Sequence, residues 1–353
     1  MGGGGRILIT GAAGFSGRHA CRHFAAAGWE VAALASPRAA DAGIPGAARV
    51  LRGDLTDPRE ALRICAEARP DAVLHLAGQN DARASWLAPG VTLEANVMAT
   101  VCLLEAVRRT CGCRTLVTGS MLRVPPERLV RAPHPYGFSK TVQVMAAIAW
   151  HHWYGLPVIV AEPSNLIGPG ASNGLCGKIA RWAAKAELTA CRETGTAAGG
   201  RGPDGRGTGA AGEGGRIAGT GTRAADGGTR ADNRVEPFVL SSLTETRDFL
   251  DVRDAVSAYE LLLLAGKPGE AYQVGTGRAR PLADVKRVFD RLARVPLRWR
   301  IGRSDAPSPP PADPSGLLAL GWRPRHSFVR SLADALEEAR REAAAAETAA
   351  GGG

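Results

Sequence analysis

The sequence contains no apolar run long enough to cross a lipid bilayer. A membrane-spanning helix needs about 20 apolar residues, whereas the longest runs here are short stretches such as ELLLLAG near residue 263. The amino end, MGGGGRILITG, also lacks the charged and then apolar segment with a cleavage site that is typical of a leader peptide. These observations predict a cytoplasmic protein without a membrane partner.

Cysteine is too scarce to build a disulfide framework. The chain has seven cysteines among 353 residues, and the odd number argues against systematic pairing. Cys111 and Cys113 are two residues apart, but no second Cys or His pair at metal-binding spacing accompanies them. We therefore expect reduced, inert thiols and no bound metal.

Clustered positive charge is also missing, although the formal net charge is +10. The arginines and lysines are spread along the chain, without the basic runs interleaved with aromatics that bind nucleic acid. The excess of positive charge therefore favours a small anionic ligand, such as a nucleotide or a nucleotide sugar, and argues against nucleic acid.

Apolar strands and helix-length segments alternate through the first half of the chain. Several of the strands are apolar throughout, as expected for strands that are buried on both faces. Candidate strands are 6–10, 30–35, 48–53, 71–77, 114–119 and 157–162, and candidate helices are 17–27, 58–68, 93–110 and 139–153. This alternation predicts an α/β fold with a doubly wound parallel sheet of the Rossmann type.

Residues 194–234 differ from the rest in composition. The segment is rich in glycine and arginine and has almost no large apolar side chains. Such a segment cannot bury enough surface to offset the entropy of ordering its backbone. We predict a disordered insertion here.

A glycine-rich turn follows the first candidate strand. Gly11, Gly14 and Gly17 come directly after Thr10, and a helix begins by Gly17. Glycine lets the backbone approach a pyrophosphate, and the free N–H groups at the helix start then bind it. The position between a strand and a helix predicts a dinucleotide site, although a tight turn without a ligand is the alternative.

The residues after the second strand favour NADP(H) as the cofactor, with NAD(H) still possible. A carboxylate usually stands there to bind the ribose of NAD, but this chain has Ser36 and Arg38, which suit a 2′-phosphate. Arg38 could also be an ordinary solvated arginine. Asp54, after the third strand, could accept a hydrogen bond from the adenine amine or act only as a helix cap.

Six motifs in order resemble the extended short-chain dehydrogenase/reductases, the NAD-dependent epimerase/dehydratase family. They are TGAAGFSG, HLAGQ (75–79), SWLAPGVTLEANVMAT (85–100), PYGFSK (135–140), EPSNLIGPG (162–170) and TRDFLDVRDAVSAYELLL (246–263). The resemblance covers 6–335 apart from the insertion. The segments SNLIGPG and GEAYQVGTGRARPLADV are similar to the subgroup of GDP-4-keto-6-deoxy-D-mannose reductases.

The resemblance implies two domains and a set of binding residues. An NAD(P)-binding domain would cover 1–168, with a return segment at about 240–275, and a smaller C-terminal α/β substrate-binding domain would cover 169–345. The implied cofactor contacts are Gly11, Gly14, Phe15, Gly17, Ser36, Arg38, Asp54, Leu55, Leu76, Ala77, Gly78, Asn96, Tyr136, Lys140 and Pro163. The implied substrate contacts are Asn165, Arg247 and Arg303. Family members commonly form homodimers through the helices corresponding to 93–110 and 139–153.

Tyr136 and Lys140 are the candidate proton-transfer pair. They lie four residues apart, on one helix face. A lysine ammonium beside a phenol lowers the phenol pKa, so that Tyr136 could exchange a proton near neutral pH. Ser120, at the end of the fifth strand, could bind the substrate carbonyl, with Thr118 as an alternative hydroxyl. A decorated helix and a strand-end serine are the interpretations without catalysis.

The residues that follow Ser120 indicate which reaction is expected. Dehydratases of the resembling family carry an acid there, whereas this chain has Met121, Leu122 and Arg123, so that elimination of water is disfavoured. We expect reduction of a 4-keto-6-deoxy nucleotide sugar, with Tyr136 as proton donor. A nucleotide-sugar epimerase is the alternative, and a non-catalytic dinucleotide sensor is a third. The stretch from Ser120 to Tyr136 is shorter than in the family, and Glu162 replaces the usual arginine.

Overall fold

A computed structural model of the chain describes residues 4–39, 43–198, 235–304 and 308–351. The strands are β1 Arg6–Thr10, β2 Glu30–Ala35, β3 Arg49–Arg52, β4 Ala72–His75, β5 Arg114–Thr118, β6 Val158–Pro163, β7 Asn165–Ile167, β8 Phe238–Leu240, β9 Thr246–Arg247, β10 Phe249–Asp251, β11 Ala271–Val274, β12 Arg280–Pro281 and β13 Trp299–Ile301. The helices are α1 Phe15–Ala26, α2 Pro58–Ala68, α3 Ala82–Leu87, α4 Pro89–Leu93, α5 Ala99–Thr110, α6 Pro135–Tyr154, α7 Leu175–Ala198, α8 Val252–Ala265, α9 Leu282–Leu292, α10 Ser315–Ala319 and α11 Phe328–Gly351.

A seven-stranded sheet forms the centre of the molecule. Its strand order is β11-β6-β5-β4-β1-β2-β3, and all neighbouring strands are parallel. The order reverses at β1, which places β4 and β2 on its two sides. This is the Rossmann-type doubly wound sheet, so the predicted fold class is confirmed.

The sheet is covered by helices on both faces, and β1 shows how the sequence achieves this. Successive side chains of a strand point to opposite faces. Ile7 and Ile9 pack in the apolar core beneath α1 and α8, whereas Leu8 packs in the core beneath α2 and α5. All three side chains are fully buried, and each contributes about 1.5–3 kcal/mol of apolar burial.

The remaining strands form three two-stranded sheets that lie outside the main sheet. They are β7 with β10, β8 with β13, and β9 with β12. A separate apolar core joins α7, α9 and α11 to β7, β8, β10 and β13. The boundary at residue 168 stays a prediction.

Helix α7 continues to Ala198, so the first five residues of the predicted insertion, 194–198, are helical and not disordered. The rest of that segment, 199–234, lies outside the described residues.

Two helix boundaries near the candidate site differ from the sequence prediction. Helix α6 begins at Pro135, not at 139, because Pro135 occupies the first helical turn and His134 accepts a hydrogen bond from the Gly137 N–H. The expected helix 93–110 is α4 and α5 joined by a π-helical turn, Glu94–Met98. Contrary to the expectation from the sequence, the stretch 89–110 is by length and composition apolar enough to span a membrane, but half of its most apolar window is buried inside the protein, as in a core helix.

Candidate active site

The glycine turn after β1 is packed closely against β4. Gly11 has a φ of 65°, and a Cβ at this position would lie 2.7 Å from the Ala77 nitrogen. A Cβ on Gly17 would overlap the Gly11 carbonyl oxygen. Both positions therefore require glycine so that α1 can start close to the end of β1.

The middle glycine of the turn, Gly14, lies at the start of α1. Gly14 is the N-cap residue of α1, and among the described residues no side chain caps this helix end. A Cβ on Gly14 would meet only the Gly11 carbonyl oxygen, at 3.2 Å. The uncapped N–H groups at this helix start fit the pyrophosphate of a dinucleotide.

The predicted adenosine-binding residues lie on exposed loops after β2 and β3. The Ser36 hydroxyl accepts a hydrogen bond from the Arg38 N–H at 3.3 Å. Asp54 accepts two hydrogen bonds from Thr56, which lower the pKa of its carboxyl group. Leu55 beside it is buried. Arg52, which the sequence analysis missed, donates to the Ser36 carbonyl oxygen at 3.3 Å and so holds this loop.

Asn96 connects the loop after β4 to α6. Its side chain lies in the π-helical turn and is fully buried. The amide accepts from the Gln79 N–H at 2.8 Å and donates to the Gln79 carbonyl oxygen and to the Ser139 hydroxyl. Leu76, Ala77 and Gly78 precede this loop. Asn96 thus fixes the backbone that lies beside the predicted cofactor site.

Ser120, Tyr136 and Lys140 meet at the carboxyl end of β5. The Ser120 hydroxyl and the Tyr136 phenol line the same cavity, and Ser120 acts to lower the pKa of Tyr136. The Lys140 Nζ donates to the Thr118 carbonyl oxygen at 3.0 Å and to the Gln143 Oε1 at 2.8 Å. All three predicted catalytic side chains are buried and line one cavity.

The expected effect of Lys140 on Tyr136 is not found among the protein's own groups. Burial raises the pKa of Tyr136, and only the neighbouring Ser120 side chain acts to lower it. Burial also lowers the pKa of Lys140 to about 8. The sequence showed the spacing of the pair but not the desolvation of both groups, which dominates here.

Lys140 ends a buried chain of polar side chains that the sequence analysis missed. Gln143, which accepts from Lys140, donates to the Thr100 hydroxyl at 2.8 Å. The Thr100 hydroxyl lies 2.9 Å from His75 Nε2, and His75 Nδ1 lies 2.8 Å from the Thr10 hydroxyl. Burial lowers the pKa of His75 to about 3, with a further lowering by the Lys140 charge. His75 is therefore neutral, and the hydrogen-bonded chain links β1 to Lys140, the predicted catalytic lysine.

The cavity has a volume of about 480 Å³, within the range of small-molecule sites. The predicted site residues that line it are Phe15, Leu76, Gly78, Ser120, Tyr136, Lys140, Pro163, Asn165 and Arg247. Arg303 is exposed and is not among the described residues that line the cavity. Arg83 and Lys178 also line it, although nothing in the sequence marked them as site residues.

The predicted substrate residues are held by neighbouring polar groups. Asn165 Nδ2 donates to the Asp248 carbonyl oxygen at 3.0 Å. Arg247 makes two hydrogen bonds with Glu245, at 2.9 and 2.6 Å, and stays partly exposed to the cavity. This pairing fixes the guanidinium in a defined orientation, as a diphosphate-binding arginine requires.

The carboxylates that line the cavity are hydrogen-bonded to backbone N–H groups. Among the described residues, the carboxylates that line the cavity are Asp81 and Asp248. Asp81 caps α3, and Asp248 accepts hydrogen bonds from the backbone at Thr276, Gly277 and Ala312. Neither carboxylate follows Ser120 directly in the sequence, which is where the dehydratases that the chain resembles carry their acid.

The chain belongs to the NAD dependent epimerase/dehydratase family, whose model matches residues 7–275. It is 27% identical over 345 residues to GDP-6-deoxy-D-mannose reductase of Pseudomonas aeruginosa, covering 93% of this chain and 94% of that protein. It is 33% identical over 141 residues to dTDP-glucose 4,6-dehydratase of Xanthomonas campestris pv. campestris, covering 34% of this chain and 39% of that protein.

Solved structures show the same fold. RMD from Pseudomonas aeruginosa complexed with NADPH superposes with a TM-score of 0.71 at 24% identity, covering 96% of this chain and 99% of that one. UDP-glucose 4-epimerase of Thermus thermophilus in complex with NAD gives a TM-score of 0.70 at 21% identity, covering 95% and 99%. The predicted family is confirmed, and the chain is an NAD(P)-dependent enzyme of the extended short-chain dehydrogenase/reductase type.

Proposed function

We propose that the protein reduces a 4-keto-6-deoxy nucleotide sugar with NADP(H). The observation that supports this most directly is the meeting of Ser120, Tyr136 and Lys140 in one cavity, with no acid in the dehydratase position after Ser120. The likeness to GDP-6-deoxy-D-mannose reductase over 93% of the chain supports the same reaction.

The reaction divides between cofactor and protein. A bound reduced dinucleotide supplies the hydride that reaches the keto carbon. The Ser120 hydroxyl donates a hydrogen bond to the substrate carbonyl oxygen, and the Tyr136 hydroxyl transfers its proton to that oxygen. A charged Lys140 would favour the phenolate that remains, an effect that the protein's own groups do not show in the pKa of Tyr136. Because Tyr136 and Lys140 are buried, bulk water does not compete for the proton.

Substrate binding requires positive charge at the far side of the cavity. Arg247, pre-oriented by Glu245, would bind the diphosphate, and Asn165 would contact the nucleotide sugar. Arg83 and Lys178 add two exposed cations at the same cavity. Electrostatic attraction of an anionic substrate fits the formal net charge of +10.

A preference for NADP(H) would arise in the loop after β2. Ser36 and Arg38 are exposed there, and Arg52 lies beside them through its contact with the Ser36 carbonyl oxygen. A hydroxyl and two guanidinium groups suit a 2′-phosphate. Among the described residues of this loop, no carboxylate is present to bind the ribose hydroxyls of NAD.

A nucleotide-sugar epimerase is the second candidate. The same three catalytic groups can oxidise a carbinol and reduce the ketone again, and the similarity to the UDP-glucose 4-epimerase structure favours this alternative. A non-catalytic sensor has less support, because both Tyr136 and Lys140 are present.

The decisive experiment follows NADPH absorbance with a panel of 4-keto-6-deoxy nucleotide sugars. We expect consumption of NADPH with at least one of them, and its loss in Tyr136→Phe. Interconversion of unmodified sugar nucleotides without consumption of NADPH would replace the reductase with the epimerase. Binding of NADPH without turnover of any of these sugars would favour the non-catalytic dinucleotide sensor.

We also propose a homodimer through α5 and α6. Met98, Met145 and Trp153 are exposed near these helices, with 47%, 46% and 66% of their surfaces accessible. Exposed large apolar side chains on adjacent helices are typical of an interaction surface. Sedimentation measurements test this proposal: a monomer at micromolar concentration would contradict it.

A further inference from the structure

Two cysteine thiols lie in contact at the amino end of β5. Cys111 is the residue that ends α5, and Cys113 directly precedes β5. Gly112 between them has a φ of 57°, a backbone conformation that favours glycine. Their sulfur atoms are 3.2 Å apart and hydrogen-bonded. Cys111 is exposed and Cys113 is partly exposed, so that small reagents can reach the pair.

We propose that Cys111 and Cys113 form a reversible dithiol–disulfide site that exchanges with low-molecular-weight disulfides such as oxidised glutathione. The Cys111 thiolate attacks one sulfur of the glutathione disulfide, forms a mixed disulfide and releases one glutathione. The Cys113 sulfur then attacks the Cys111 sulfur, the mixed disulfide breaks, and a second glutathione leaves. The protein loses two electrons and two protons, and one disulfide is reduced to two thiols.

The geometry suits the second step of this exchange. A disulfide needs a sulfur–sulfur distance of about 2.05 Å, and the two atoms are already 3.2 Å apart. Only a small closure of the turn at Gly112 is needed. Because the loop is short and exposed, the resulting bond is expected to be easily reduced, like other strained or exposed disulfides.

The electrostatics define which sulfur reacts first. The hydrogen bond with Cys113 is the largest cause that lowers the pKa of Cys111, to about 6, whereas the same contact and burial raise the pKa of Cys113. Cys111 is therefore the sulfur of the pair that ionises first, and the thiolate is the reactive form.

A metal site explains this pair less well than a disulfide does. The third nearby thiol, Cys65, is only 1% exposed, and burial raises its pKa to about 12. Within the described ranges no group of three or more His, Cys, Asp or Glu side chains is placed to hold a metal ion. The pair also lies at the amino end of β5, away from the cavity at its carboxyl end, so it is separate from the proposed active site.

The test uses the reduced full-length protein, incubated with oxidised glutathione near neutral pH. After acid quenching, alkylation and digestion with trypsin, residues 110–114, TCGCR, form a peptide that contains both cysteines and no other. We expect this peptide to be unalkylated and lighter by two hydrogens, and treatment with a reductant should restore two alkylatable thiols. In Cys113→Ser, the same peptide should carry one glutathione instead.

Cys191 provides the matched control, because it is an exposed thiol on α7 without a second cysteine beside it in the sequence. It should accumulate the mixed disulfide with glutathione, and Cys191→Ser should leave the oxidation of the 110–114 peptide unchanged. The proposal is overturned if that peptide stays alkylated at both sulfurs, or carries two glutathiones, while Cys191 is glutathionylated. The wild-type peptide alone decides this, even if a variant folds poorly.

Discussion

Removal of the Arg123 guanidinium should strongly destabilise the protein, because it leaves a buried carboxylate without a partner. Glu162 lies on β6, and its side chain is only 3% exposed. Its carboxylate is hydrogen-bonded to Arg123 in the turn after Ser120. Glu162 stands at the position where the resemblance to the family implies an arginine before the proline.

The size of the effect follows from the burial of the two partners. Breaking a buried ion pair costs about 3–5 kcal/mol, because the remaining charge stays desolvated. Arg123 is 30% exposed, so solvent can partly reach the gap that its removal creates. We therefore expect Arg123→Met to lower the free energy of unfolding by about 3 kcal/mol at pH 8. The double variant Arg123→Met/Glu162→Met should recover to within about 1 kcal/mol, because it removes both charges.

The pH dependence gives this prediction its specific signature. Burial raises the pKa of Glu162, and Arg123 opposes that rise, so the pKa rises further in Arg123→Met. A carboxyl group with a raised folded-state pKa loses stability as the pH increases through that pKa, because the folded state must then hold the charge. The deficit of Arg123→Met should thus be largest at alkaline pH and disappear toward pH 4.

Urea titrations of the wild type, the single variant and the double variant at pH 8 and pH 5 test this prediction. They measure the stability lost in Arg123→Met, the stability recovered in the double variant, and the change of that loss with pH. The double variant is the control for lost packing, since it has the same methionine at position 123. Equal stability of Arg123→Met and the wild type at pH 8, or a deficit that does not change with pH, would refute the reasoning.

Three further predictions concern the site. Tyr136→Phe should lower kcat at least about 100-fold with little change in NADPH affinity, since it removes only the proton donor; stopped-flow turnover and fluorescence titration measure the two quantities. Gln143→Leu removes an acceptor from the Lys140 ammonium, disfavours its charged form, and should move the alkaline fall in kcat about one pH unit toward neutrality; an unchanged pH profile would contradict this. Arg38→Ala should raise the KM for NADPH about tenfold or more, because it removes a charge-assisted hydrogen bond to the 2′-phosphate. The KM for NADH, which lacks that phosphate, should not change. Equal effects on both cofactors would count against a 2′-phosphate contact.

The sequence was sufficient wherever the signal was local. The apolar strand 6–10 and the three glycines that follow it lie within one short stretch, and the structure places that stretch as a strand, a turn and a helix start. The pattern of strands and helices likewise predicted the parallel sheet, because buried parallel strands read as continuous apolar runs. Even the missed start of α6 had a local signal, since Pro135 is well suited to a first helical position.

Contacts between distant parts of the chain could not be read in this way. Gln143 and Thr100 are 43 residues apart, and His75 and Thr10 are 65 residues apart, so their hydrogen bonds exist only after the helices have packed on the sheet. The same applies to Arg123 and Glu162, which meet because the turn after β5 lies beside β6.

By itself, the sequence determined the alternation of strands and helices in the first half of the chain, the glycine turn after β1 and the choice of the three candidate catalytic side chains, since each depends on residue types at short spacing. Only the tertiary structure decided the protonation properties of these groups. Burial raises the pKa of Tyr136 and lowers that of Lys140. The physical reason is that desolvation and hydrogen bonding depend on every neighbour in space, whatever its distance along the chain.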